Sequence, residues 1–168
     1  LFGEKEKMKT FKMVIWGILI LYFQILFAAR FRLFGITPNF LIAFIIYTSI
    51  HLGLRSSLTI SFIGGLAFDL ILPYYLGMNT LTFVILAMLI NTVHESVNKR
   101  RTIVVFFSIL IINMIYYLFF GFYQMIAFQN MSGFFLLYFL SVFYNSVITF
   151  FSIYFFIILS KIKLSVDV

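Results

Sequence analysis

The stretch Gly64-Gly65-Leu66-Ala67-Phe68-Asp69-Leu70-Ile71-Leu72-Pro73-Tyr74-Tyr75-Leu76-Gly77-Met78-Asn79 carries the one acidic residue set within the apolar runs of this chain. With it come paired glycines, one of the two prolines and a short polar turn. A carboxylate among so much hydrocarbon is costly to desolvate, so something must offset its burial. Counting back by fours from Asp69, Gly65, Ser61 and Ser57 share its helical face, and Pro73 continues the series. Small residues let helix backbones approach closely, so the stripe predicts the most tightly packed helix of a bundle. A groove for a substrate or partner is the competing reading.

The surrounding chain sets the class. Of its 168 residues 64% are hydrophobic and only 10% charged, and the mean hydropathy is +1.14. A soluble domain of this size has too much surface to hide that composition. The chain is therefore an integral membrane protein, and at ~20 apolar residues per crossing it has room for five or six helices and little else. Met8-Lys9-Thr10 has the form of a natural start, so residues 1–7 read as a foreign remnant and 8–168 as a single polytopic membrane domain. The net charge of +7 sits in short loops between apolar runs, which is a topology signal and argues against nucleic acid as a partner. With no cysteine there is no disulfide framework, thiolate metal site or redox motif.

Six apolar runs follow one another. The first spans Met13 to Ala29, and the bulky Phe27 argues against signal-peptide cleavage before Arg30 and Arg32. The second opens at Pro38, a favoured first-turn residue, and runs from Phe40 to about Leu54. The third covers Leu58 to Leu72, ended by Pro73, and the fourth Met78 to about Val93. The fifth covers Ile103 to Phe128 and the sixth Phe134 to Leu159, with Asn130-Met131-Ser132-Gly133 between them. The second and third are short for a full crossing, which implies tilt or local thinning of the bilayer. With the N-terminus in the cytoplasm, Lys5, Lys7, Lys9, Lys12, Arg55, Lys99, Arg100, Arg101, Lys161 and Lys163 fall inside, against only Arg30 and Arg32 outside. That bias places both termini in the cytoplasm.

Polar residues inside such runs are candidates for function or for helix–helix adhesion. Asp69 falls at the same outer end as Arg30 and Arg32, so an ion pair with one of them is expected; the alternative is that it meets interfacial water and caps the adjacent turn. Asn113 and Asn145 lie near the middle of the fifth and sixth runs, with Ser141, Thr149 and Ser152 extending the face of Asn145. Buried amides of this kind most often bond across helices. Catalytic patterns fail: His94-Glu95 lacks a second histidine one turn on, Asp69 has no intramembrane acidic partner for a dyad, and no Gly-x-Ser-x-Gly elbow occurs. No cofactor or metal is expected.

The order of signals resembles the rod shape-determining protein MreD family. Pro38-Asn39 stands where that family usually has Pro-Asp or Pro-Asn. The series Gly64-Gly65-x-x-x-Asp69-Leu70, Pro73 and Leu76-Gly77-Met78-Asn79-Thr80-Leu81 is similar to its Gly-rich, Asp-Leu and Leu-Gly-x-x stretch. The basic Lys99-Arg100-Arg101, the length and the expected termini agree as well. The likeness covers nearly the whole chain in layout, with its specific motif confined to Pro38–Leu81. It implies a non-enzymatic subunit of the bacterial elongation complex in the inner membrane. Such a subunit binds MreC through its transmembrane helix and adjoining region, alongside RodA, a class B penicillin-binding protein and MreB, and supports lateral peptidoglycan synthesis and cell shape. It also implies a fold similar to the S-components of energy-coupling-factor transporters. By carry-over Pro38, Asn39, Gly65, Asp69, Gly77 and Asn79 match family positions, with no activity attached to them.

A second function class is an S-component-like binder of a small molecule or lipid, with a pocket opening outward near Asp69 and Asn79. S-components commonly carry Ala-x-x-x-Ala on the first helix, where this chain offers only the adjacent Ala28 and Ala29. Trp16 is the only tryptophan available to grip a vitamin. Both features favour the scaffold.

Overall fold

The computed structural model describes residues 2–71, 77–93, 102–128 and 134–162. The expectations for Pro73, His94-Glu95, the basic loop 99–101, the turn 130–133 and the C-terminal tail lie outside those residues. Among the described residues the fold is six α-helices and no strand: α1 (Phe2–Phe27), α2 (Phe40–His51), α3 (Leu54–Ile71), α4 (Met78–Val93), α5 (Thr102–Phe128) and α6 (Phe134–Ile162). Three segments, Met8–Phe31, Leu54–Ile71 and Phe135–Leu159, are long and apolar enough to cross a membrane. Phe40–His51, Met78–Thr92 and Phe107–Tyr123 are shorter apolar helices. This is the helix inventory of a membrane protein. At 12 residues α2 is only about 18 Å long, well short of a hydrocarbon core.

Element boundaries depart from the apolar runs where polar residues extend a helix. α1 begins eleven residues ahead of Met13, because Lys and Glu are good helix formers and continue the helix past the end of the apolar segment. Beyond Phe27 it tightens into a 3₁₀ turn, Ala28–Phe31. α2 stops at His51, where Leu52 turns extended and donates its N–H back to the Thr48 carbonyl. α3 then starts at Leu54 rather than Leu58, with Ser57 N–H bonded to Gly53 O.

The core is built around α2. It is apolar on every side, and a helix of that kind is buried all round; every residue from Leu41 to Ser49 is buried. Its flanks are α1, α3, α4 and α6. Phe44 packs on α1 at Gly17, where a Cβ would come within 3.0 Å of the ring. On one side α3 and α4 form the tightest pair. A Cβ on Gly65 would lie 2.5 Å from the Thr80 Cα and 2.9 Å from its nitrogen, so these two backbones touch. The expected small-residue stripe is this contact: Ser57, Ser61, Gly65 and Asp69 are all buried in α3. On the other side α5 and α6 pack together.

Two ends can be told apart. At one, Lys9 Nζ donates to His51 O at 2.7 Å and Thr10 to Ser56 Oγ at 3.1 Å, joining the start of α1 to the α2–α3 junction. At the other, the chain turns sharply between the 3₁₀ turn and α2. Leu33 and Ile36 exchange both backbone hydrogen bonds across Phe34 (φ 51°) and Gly35 (φ 82°). Two consecutive positive φ values make a type I′ turn.

Candidate functional site

Asp69 sits in the last turn of α3 with none of its surface exposed. Its Oδ1 accepts from the Asn79 backbone N–H (3.0 Å) and the Asn79 side-chain amide (2.9 Å). Its Oδ2 accepts from the Thr80 N–H (2.8 Å) and the Thr80 hydroxyl (2.6 Å). The first N–H groups of a helix have no partner within it, and the N-terminal end of the helix dipole attracts negative charge. Asp69 therefore caps α4 from the neighbouring helix, with four donors on its two oxygens. Gly65 lets the backbones come close enough, and Gly77, at φ 86°, holds the turn that aims the α4 amides at the carboxylate.

The expected ion pair is therefore corrected. Arg32 Nε bonds the Gly35 carbonyl at 2.9 Å, and the Arg30 guanidinium lies 5.7 Å over the Phe27 ring. Neither reaches Asp69. The physical reason is that backbone amides of α4, invisible to a count of charged residues, already fill the coordination of the carboxylate.

From Asp69 the hydrogen bonding continues across the bundle. The Asn79 carbonyl oxygen Oδ1 accepts from the Tyr116 hydroxyl of α5 at 2.8 Å. That hydroxyl in turn accepts from Asn39 Nδ2 at 3.0 Å. Asn39 is the N-cap of α2, its Oδ1 accepting from Leu41 N–H at 3.1 Å, and its own backbone N–H donates to Asn145 Oδ1 of α6 at 2.7 Å. Asn145 Nδ2 closes on Ser141 O within α6. Beside this chain, Gln24 of α1 donates to Pro38 O (2.9 Å) and accepts from Phe40 N–H (2.8 Å). Each of the six helices thus supplies a polar side chain to one locus at the start of α2.

The locus lies at the ends of α2, α3 and α4 but midway along α5 and α6, which run on for roughly 16–18 Å past Asn145 and Tyr116. Asp69 is thus at a helix end without being at the rim of the molecule. Asn39, Asp69, Asn79 and Asn145 come together here, with Pro38, Gly65 and Gly77 holding the backbone. Gly64 does not join them, having open space beside it. Asn113 is also apart: its Nδ2 bonds Ile109 O within α5, and its buried Oδ1 has no partner.

Sequence reasoning missed Gln24, Thr80 and Tyr116. Gln24 had a signal, as the only amide within the first apolar run. Tyr116 had none, because it is one of ten tyrosines in an aromatic-rich chain. Among the described residues no group of three His, Asp or Glu side chains is placed to hold a metal ion. Chemically the arrangement is a lock: its donors and acceptors are committed to one another.

A family model described as rod shape-determining protein MreD matches residues 7–162. The chain belongs to the MreD family, a family of rod shape-determining membrane proteins. No curated relative and no solved structure matches it.

Proposed function

We propose that this chain is a non-enzymatic, multi-pass subunit of the bacterial inner membrane that binds MreC within the elongation complex. There it would work with RodA, a class B penicillin-binding protein and MreB in lateral wall synthesis. The observation that carries the reading is the use made of Asp69. The lone carboxylate within the apolar segments is spent on joining α3 to α4, and the polar chain beyond it joins the other helices. Polar groups arranged this way give a bundle of fixed shape whose outer surface is left for partners. Exposed Phe122, Ile126, Phe135, Leu136 and Phe139 clothe the long α5–α6 pair in apolar surface suited to lipid or to another helix. Six crossings with both termini in the cytoplasm belong to the same proposal. It is supported by Lys9, Lys12, Arg55 and His51 gathering at one end and Arg30 and Arg32 at the other.

The S-component-like alternative would place a ligand near Asp69 and Asn79, where the hydrogen-bonding groups are already used by the protein. Co-expression with an MreC-type partner and purification in detergent tests the two. A stoichiometric complex without a bound small molecule is expected; a tightly bound vitamin and indifference to MreC would overturn the reading.

A further inference from the structure

At the end opposite the type I′ turn, α1 and α6 stand apart and leave a cleft of about 180 Å³ backed by α2. Its lining is almost wholly apolar: Met13, Trp16, Phe156 and Leu159 are half-buried, Ile20 and Phe44 are buried, and Lys9 and Lys12 stand at the charged end. On α1 the order is graded with depth. Lys9 and Lys12 are three apart on one face, Trp16 follows one turn deeper and Ile20 one turn deeper again. This is the order of a lipid leaflet: charged headgroup, interface, acyl chain.

We propose that this cleft holds an anionic phospholipid of the cytoplasmic leaflet, its phosphate between Lys9 and Lys12 and an acyl chain against the half-buried Met13, Trp16, Phe156 and Leu159. Charge selects the occupant. Among the described residues no carboxylate lines the cleft, and a zwitterionic headgroup brings its own cation with its phosphate, so it would leave the two ammonium charges less fully offset than an anionic one. Lys9 spends one of its three hydrogens on His51 O, which fixes the ammonium and leaves two for a phosphate. A partner's transmembrane helix, or a second copy of this chain, would obey the same charge bias and bring further Lys or Arg to this end. Basic pockets between helices at the cytoplasmic face are a recurrent form of anionic-lipid site. The proposal rests on the cytoplasmic orientation of the N-terminus proposed above.

Trp16, the only tryptophan, makes the cleft report on itself. The full chain is reconstituted in vesicles of phosphatidylglycerol and phosphatidylcholine, with bromine on the acyl chains of one lipid or the other, and Trp16 quenching is followed. Brominated phosphatidylglycerol should compete for the site about five- to twenty-fold better than brominated phosphatidylcholine. K9Q/K12Q should bring the two lipids together. If that variant does not fold, raising the salt concentration on the unaltered protein reads the same electrostatic preference. Equal quenching by both lipids in the unaltered protein overturns the proposal. So does quenching by neither, which would mean that protein covers the cleft. Orientation is read separately in intact cells by an impermeant maleimide on Phe34→Cys and Arg55→Cys. Labelling of Arg55→Cys alone would sink the orientation while leaving the vesicle result standing.

Discussion

The carboxylate of Asp69 and the first turn of α4 are joined through Asn79, which donates both its backbone N–H and its side-chain amide to the same oxygen. Asp69→Asn keeps the shape but removes the charge and turns an NH₂ group toward donors that need an acceptor. The loss should be about 2–3 kcal/mol, read as a clear fall in the thermal midpoint of the detergent-purified protein. Exchanging charges in D69R/R30D or D69R/R32D should rescue nothing, since neither arginine touches Asp69. Recovery of the melting temperature in either double variant would contradict the capping geometry.

The paired glycines should answer alanine with opposite signs. At Gly65 the new methyl would meet Thr80 backbone atoms at 2.5 and 2.9 Å, and backbone cannot swing aside as a side chain can. Gly65→Ala should cost about 1–3 kcal/mol and loosen the Asp69 cap with it. Gly64 has nothing within 4 Å of its would-be Cβ, so Gly64→Ala removes only a helix-weakening residue and should gain up to about 1 kcal/mol. Side-by-side melting curves of the two variants decide the matter.

Tyr116 and Asn113, one turn apart on α5, make a second contrast. Tyr116→Phe deletes the hydroxyl that joins Asn39 to Asn79 and strands a buried donor and a buried acceptor. It should cost about 1–3 kcal/mol. Asn113→Leu removes an amide whose oxygen already has no partner, at nearly constant size. Its effect should be smaller than that of Tyr116→Phe, and a larger loss on unfolding in detergent would show that a water or ligand serves Asn113.

Much of this architecture is legible in the sequence, and the exceptions have a common cause. α4 and α5 fall within a residue of the apolar runs, and the Ser57–Ser61–Gly65–Asp69 stripe is the buried face of α3 because four-residue spacing is a local property. Asn39, Asn79 and Asn145 stand out singly as polar residues among hydrocarbon. Their meeting does not, because Asn39 and Asn145 are 106 residues apart and one bond between them uses a backbone N–H, which every residue but proline has. The centrality of α2 is hidden for a different reason. In a chain this apolar throughout, a helix buried by protein and a helix facing lipid have the same composition. For Asp69 the capping alternative is the one found, at the start of α4, and the ion pair fails because charge counting sees Arg30 and Arg32 but not the free amides of a helix start.

Asn39 offers the sharpest test of whether the polar chain acts as one unit. Its side chain does two jobs, capping α2 through Oδ1 and donating to Tyr116 through Nδ2. Asn39→Ala loses both, so adding Tyr116→Phe should cost less than it does alone, because the link is already broken. Asn39→Asp keeps the cap, which aspartate provides as well as asparagine. It replaces the donor with a second acceptor, so the single Tyr116 proton is drawn to the new carboxylate and Asn79 Oδ1 loses it. Removing that hydroxyl from the aspartate variant leaves a buried carboxylate with the Leu41 N–H as its donor. N39D/Y116F should therefore lose more than the sum of its parts, whereas N39A/Y116F loses less. Opposite signs of coupling in the two cycles, measured by unfolding in detergent, are the expected result; simple additivity in both would show that the chain is a set of independent bonds.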